Sequence, residues 1–291
     1  MSSKQHLNDN HFIVEVEKKV KKTIKDYKLL KPKDKLVVAL SGGKDSFVLL
    51  HILKKLGYVV EALTLDMGVE DGKKIQDFCK KLGVKLHFFS FEKIYGCSIS
   101  KLYNQLVKKG VRLGKCTVCG VLRRKFLNML ACKIGATKVA TGHNLDDEAQ
   151  TILMNLLKNK LDVFVRLGPK SGIKQEANFV QRIKPLYFIH EKEIERYSRI
   201  HNFNVKYTRH PCSFGSTRHA LRDFFADYEK IRPCAKQNLV SWFLKTLPGL
   251  REKIKLKKQI TLCNLCGEPT SNKVCRACQI LSYAKGASKS A

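Results

Sequence analysis

Ser41-Gly42-Gly43-Lys44-Asp45-Ser46 follows five aliphatic residues, Leu36 to Leu40, and precedes "FVLLHILKKL", whose apolar residues recur at helical spacing. The aliphatic run suits a strand covered on both faces, so the glycines fall in a strand-to-helix turn. Without Cβ atoms the backbone there can approach a ligand closely, and N–H groups at the positive end of a helix dipole bind anions. Phosphate is the natural guest. The spacing is too short for a Walker loop, so this is a phosphate loop of another kind.

Cysteine supplies the second kind of chemistry. Cys263-x2-Cys266 and Cys275-x2-Cys278, with eight residues between the pairs, have the spacing of a tetrahedral thiolate zinc site, and Gly267 fits a tight knuckle. Four thiolates leave the metal no open position, which makes such a site structural. The isolated pair Cys116-x2-Cys119 reads equally as a redox dithiol, half of a metal site or two unreacted thiols. An open metal site needs a third thiolate, and Cys212, between Pro211 and a glycine turn, is the best candidate. Cys79, Cys97, Cys132 and Cys234 lie in or beside helix-like segments and read as small core residues.

Composition bounds the partners. The 291 residues suffice for one large α/β domain with a small appendage. A net charge of +31, from 56 basic and 25 acidic residues, exceeds what solubility needs and points to a polyanion. Residues 230 to 291 hold 13 Lys/Arg against 2 acids, so the charge is concentrated there. The sequence has no apolar run long enough for a membrane span and no signal-peptide character in Met1 to Asn10, so a cytoplasmic protein without membrane contact is expected.

These residues need a scaffold. Helical periodicity covers 12–30, and strands are expected at "VVEALTLD", "VKLHFFSF", "TKVATGH" and "RIKPLYFI", each alternating with a helix. The "CTVC" segment reads as a turn before the helix "VLRRKFLNMLACKIG", and residues after Thr217 read as helical. The pattern predicts an α/β fold with a doubly wound parallel sheet, a C-terminal helical extension and a small zinc module. The expected units are residues 1–32, a helical extension; 33–215, the catalytic domain; 216–258, helical; 259–281, the zinc module; and 282–291, a tail. Ligands then bind at the strands' carboxyl ends, where Ser41, Asp66 and Gly142-His143 fall.

The pattern "SGGKDS" resembles the PP-loop of the HUP-like, N-type ATP pyrophosphatases, which cleave ATP between the α and β phosphates. Together with "CTVCGVLRRK", "TGHNLDDEAQT", "HPCSFGSTRHALRDF" and "CNLCGEPTSNKVCRAC", in that order, it resembles the TtuA-like and cytoplasmic tRNA 2-thiolation family of 2-thiouridine synthetases over residues 30 to 280. The resemblance implies adenylation of a tRNA uridine at its C2 oxygen and replacement of that oxygen by sulfur. It implies a [4Fe–4S] cluster on Cys116, Cys119 and Cys212, Zn²⁺ on the terminal cysteines, and ATP with Mg²⁺. Lys44, Ser41, Gly42, Gly43 and Ser46 would hold phosphate, Asp45 would place Mg²⁺ or brace the loop, and Ala39 and Leu65 would offer backbone to the adenine. Gly142 would let the nucleotide approach closely. Asp147 is implied as an active-site contact, though adjacent aspartates are also ordinary caps at a helix start. Arg123, one helical turn after Cys119, is the expected phosphate-facing cation, against the plainer reading of a solvated basic face. Free sulfide or a ubiquitin-like thiocarboxylate protein is the implied donor, with a homodimer as the implied assembly.

One feature departs from the family. Its members usually begin with a second zinc module, whereas no cysteine precedes Cys79 here. Alternative readings are a 2-thiocytidine synthetase, another PP-loop ligase adenylating a carboxylate, and a nucleic-acid-binding module that has lost its nucleotide chemistry.

Overall fold

The computed structural model describes residues 3–68, 71–171, 179–205, 217–254 and 261–285. In chain order the elements are α1 (Ser3–Asp26), β1 (Leu36–Ala39), α2 (Lys44–Lys55), β2 (Val60–Asp66), α3 (Gly72–Lys81), β3 (Leu86–Ser90), α4 (Phe91–Tyr95) and α5 (Ile99–Lys108). They continue with α6 (Lys115–Lys133), β4 (Lys138–Ala140), α7 (Leu145–Leu157), α8 (Leu161–Phe164), β5 (Gln181–Ile183), α9 (Glu191–Ile200), α10 (Thr217–Ile231) and α11 (Ala235–Lys253). The hairpin β6 (Thr261–Leu262) and β7 (Pro269–Thr270) and the helix α12 (Arg276–Lys285) close the described chain.

Five parallel strands in the order β3-β2-β1-β4-β5 form one sheet. Alternation along the strands divides the core. Leu36, Val38 and Ala62 pack on one face with Val16, Val20 and Ile24 of α1, the apolar side of α2, and Ile194 and Tyr197 of α9. Val37, Leu63 and Leu65 pack on the other face with Leu102 and Leu106 of α5, Val118, Leu122 and Phe126 of α6, and Ile280 of α12. A strand buried on both faces must be apolar at every position, which explains the unbroken aliphatic run of β1. A third apolar cluster joins α7, α8, α10 and α11 around Phe164, Phe225 and Phe243.

The doubly wound sheet expected from the sequence is present, with two local corrections. The fifth strand stops at Ile183 rather than running to Ile189, because Pro185 offers no N–H to a ladder. Turns closed by Tyr187 N–H to Lys184 O (3.1 Å) and Ile189 N–H to Leu186 O (2.9 Å) follow instead. The "CTVC" segment is not a turn before a helix but the opening of α6, which starts at Lys115. Among the described residues, no helix is long and apolar enough to cross a membrane.

Candidate functional site

Strand order reverses between β1 and β4, and both strands end at the same edge, where a doubly wound sheet leaves a crevice. After β1 the chain turns through Gly42, whose φ of +77° is the left-handed conformation that favours glycine. Gly43 then opens α2 without any side-chain cap, so the first N–H groups of the helix remain available to an anion. The buried Ser46 hydroxyl accepts from Ser41 N–H (3.3 Å) and donates to Gly43 O (2.9 Å), which makes it a brace for the loop. Ser41 Oγ lies 3.4 Å from it. Lys44 Nζ bridges Glu191 (2.9 Å) and Asp45 (3.4 Å). Burial opposes its charge, but the two carboxylates outweigh that and raise its pKa.

The loop after β4 locks onto this one. A Cβ on Gly142 would lie 2.9 Å from the Asp45 carbonyl carbon and 3.0 Å from the Ser46 nitrogen, so the close approach seen at Gly142 is by the phosphate loop's own backbone. Two residues on, the buried Asn144 caps α7. Its Oδ1 accepts from Asp147 N–H (3.0 Å) while its Nδ2 donates to Asp45 Oδ1 (3.0 Å). That bond makes Asp45 a loop brace. Burial raises the Asp45 pKa, with Lys44 acting against the rise.

Asp147 accepts from Arg218 Nη1 (3.0 Å), and Arg218 Nη2 donates to Thr151 Oγ1 (2.8 Å). Burial pushes the Asp147 pKa up while Arg218 pulls it back, and burial prevails. The neighbouring Asp146 faces away from that arginine. It accepts from Lys236 Nζ (2.7 Å) and from Glu191 N–H (2.8 Å). Burial disfavours its charge, yet these donors hold its pKa below the usual carboxylate range. Two adjacent carboxylates thus have different partners: Asp146 anchors α9 and α11 to α7, and Asp147 is held by Arg218 of α10.

The crevice continues toward α6. A cavity of about 60 Å³ is lined by Ala39, Leu40, Ser41, Leu63, Leu65, Arg123 and Leu127. Ala39, Ser41, Leu65 and Arg123, from three separate stretches of sequence, therefore share one wall. In the first turns of α6, Cys116 is exposed and Cys119 half-buried. Positions three and four apart share a helix face, which sets Cys116, Cys119 and Arg123 along one stripe. Two thiols on one exposed turn suit a soft metal or a sulfur-bearing group. Cys212 lies outside the described residues.

The terminal cysteines are brought together. The sulfurs of Cys263, Cys266, Cys275 and Cys278 all lie within 4.8 Å of one another, and Cys266 Sγ stands 3.8 Å from Cys275 Sγ. Zn–S bonds of about 2.3 Å in a tetrahedron place sulfurs about 3.8 Å apart, so the donor set fits that ion. Gly267 turns the knuckle at φ +69°, donating its N–H to Cys263 O (2.8 Å). Cys275 N–H and Cys278 N–H point at Cys263 Sγ (3.2 Å) and Cys275 Sγ (3.4 Å). The module rests on α6 through Asn128, which donates to Glu268 (2.8 Å) and accepts from Val180 N–H (2.9 Å). Lys109 Nζ further donates to Ala284 O (2.9 Å).

Of the four cysteines expected in the core, Cys79 is buried and Cys97 and Cys132 are half-buried, but Cys234 is exposed. It begins α11 in a left-handed conformation (φ +67°) at the rim of a cavity of about 280 Å³ behind Asp146. Sequence reasoning also passed over Asn144, Glu191, Arg218 and Lys236. Only Asn144 carried a local signal, as a preferred cap before acidic residues.

Comparison with known proteins places this geometry in a class. Residues 13–222 match the model of the PP-loop domain ATP_bind_3. The tRNA-5-methyluridine(54) 2-sulfurtransferase of Pyrococcus horikoshii is 33% identical over 97% of this chain and 89% of its own. The tRNA 2-thiolation protein NcsA of Haloferax volcanii is 30% identical over 95% of this chain and 92% of its own. Among solved structures, the U34-tRNA thiolase NcsA from Methanococcus maripaludis, with its [4Fe–4S] cluster, superposes with a TM-score of 0.78 at 30% identity, covering 95% of this chain and 88% of that one. The chain belongs to the PP-loop family of tRNA 2-thiolation proteins.

Proposed function

We propose that this chain is an ATP-dependent tRNA 2-thiouridine synthetase, acting in the cytoplasm. The observation that carries the reading is the shared wall: Arg123, one turn from Cys119, lines the same crevice as Ala39, Ser41 and Leu65 beside the phosphate loop. A phosphate loop, and a helix that carries a thiol pair one turn before the arginine it lends to the crevice, match a reaction that activates an oxygen and then replaces it with sulfur. A carboxylate-adenylating ligase has no use for the second half.

The uracil C2 oxygen is a poor leaving group until it carries AMP. Asp147, its basicity raised by burial and its orientation set by Asn144 and Arg218, takes the N3 proton as O2 attacks the α-phosphorus. Pyrophosphate departs against the uncapped N–H groups of α2, Lys44 and Arg123, which neutralise its developing charge. Ala39 and Leu65 would flank the adenine, and a Mg²⁺ ion placed beside Asp45 would supply further charge neutralisation for the phosphates. Hydrosulfide then adds at C2, AMP leaves with the oxygen, and the S–H proton is lost to solvent as Asp147 returns its proton to N3, which gives the thione. Cys116, Cys119 and Cys212 would hold a [4Fe–4S] cluster whose remaining iron supplies a binding place for sulfide. Zn²⁺ on Cys263, Cys266, Cys275 and Cys278 is structural. Free sulfide or a ubiquitin-like thiocarboxylate protein is the donor class, and a homodimer is the assembly proposed.

Anaerobic purification with iron, sulfide and zinc assays, followed by mass analysis of nucleosides from tRNA treated with ATP and sulfide, tests the reading. The expected result is 2-thiouridine formation with AMP and pyrophosphate as co-products. Release of ADP, or thiolation by iron-free protein, would overturn it.

A further inference from the structure

The lysine of the phosphate loop, after β1, is held by a carboxylate that follows β5, two strands away. Glu191 opens α9, and its Oε1 lies 2.9 Å from Lys44 Nζ. Its other oxygen, Oε2, lies 3.6 Å from Arg222 Nη2 on α10. Its backbone N–H donates to Asp146 Oδ2 (2.8 Å), which pins the residue at its base. The Lys44 side chain is 14% exposed and those of Glu191 and Arg222 29% each, so water screens these charges less than it would at an open surface.

One carboxylate thus stands between two cations. An ammonium has three N–H donors, and among the described residues Lys44 gives them only to Glu191 and Asp45, so one remains for a phosphate oxygen. The contact with Glu191 aims that donor. The carboxylate's charge also repels the phosphate that the donor is to meet. Arg222 tempers the repulsion, because a guanidinium at the far oxygen faces the same negative charge. It stands four residues after Arg218, on the same face of α10, and Arg218 Nη1 holds Asp147 at 3.0 Å. One face of α10 therefore balances a carboxylate of α7 and a carboxylate of α9.

We infer that Glu191 is the positioning residue for Lys44, and that Arg222 is the counter-charge that lets it act without driving off a triphosphate. The inference rests on the ATP-dependent reading above and deepens it. The aim of the loop lysine is set by α9 and α10 rather than by the loop alone, since the contact from Asp45 within the loop is longer, at 3.4 Å. Glu191 meets no reacting atom in that scheme and works through Lys44, which neutralises the departing pyrophosphate.

Titration calorimetry with MgATP on anaerobically purified protein, and pyrophosphate release with a tRNA transcript and sulfide, test it. Glu191→Gln keeps the shape of the side chain and removes its charge. It should tighten MgATP about threefold and lower kcat about tenfold, a split that a loss of fold does not produce. Glu191→Asp returns the charge but falls one methylene short of Lys44, so MgATP affinity should come back to wild type while kcat stays low. Arg222→Gln should weaken MgATP about threefold, and by less in the Glu191→Gln background, where no carboxylate is left to balance. Unchanged or weaker MgATP binding in Glu191→Gln, a wild-type kcat in that variant, or an equal Arg222→Gln effect in both backgrounds would overturn the inference alone. Failure of the wild-type protein to bind MgATP, or its release of ADP in place of pyrophosphate, would overturn the inference and the functional reading together.

Discussion

Two groups of cysteines rest on the same helix and differ in almost every physical respect. Cys116 and Cys119 sit in the first turns of α6, one exposed and one half-buried, on the helix whose Arg123 lines the small cavity beside the glycine turn. Cys263, Cys275 and Cys278 are buried, and with Cys266 their sulfurs fall within 4.8 Å of each other. The second group is complete in itself and can hold a metal with no position left for a substrate. The first is incomplete and open. The difference teaches that thiolate number and exposure, rather than the CxxC spacing both groups share, distinguish a closed metal site from an open pair of thiols.

The comparison can be broken at its strongest point first. Cys119→Ala should reduce tRNA thiolation by more than about 100-fold, read by nucleoside mass analysis, while the melting temperature stays within a few degrees of wild type. A large loss of stability with activity retained would exchange the roles of the two groups. Cys275→Ser should act the other way. Loss of the terminal metal should cost on the order of 3 kcal/mol, roughly 6–12 °C of melting temperature by calorimetry, with loss of bound zinc by metal analysis. The smallest expected effect concerns the joint between the groups. Asn128→Ala leaves Val180 N–H and the Glu268 carboxylate without that amide, and should destabilise by about 1–3 kcal/mol in denaturant melts without removing zinc. Zinc loss in that variant would mean that the module is held together by its docking rather than by its four thiolates.

The sequence made the chemistry legible where it was local. The run from Leu36 to Ser46 changes period at its glycines, and the structure places strand, turn and helix there. The terminal cysteines declare their site through spacing alone. The apolar run after Arg182 misled, because buried turns and buried strands have similar composition and Pro185 was the deciding residue. The partners that orient the site are distant in sequence: Arg218 lies 71 residues from Asp147, and Glu191 lies 147 from Lys44. No periodicity reports such pairings. Asn144 was within reach, since asparagine ahead of two aspartates is a helix-start signal, but its second bond to Asp45 belongs to the fold.

That asparagine has a mechanical consequence. Its Nδ2 donates to Asp45 Oδ1 and its Oδ1 accepts from the Asp147 backbone N–H, at 3.0 Å each, so one planar group acts as a rigid spacer between the turn that would cradle a triphosphate and the first turn of α7. A hydrogen bond tolerates only a few tenths of an ångström before weakening. The two halves of the crevice are thereby gauged against each other before any substrate arrives, and a shift in either is felt by the other through a single side chain.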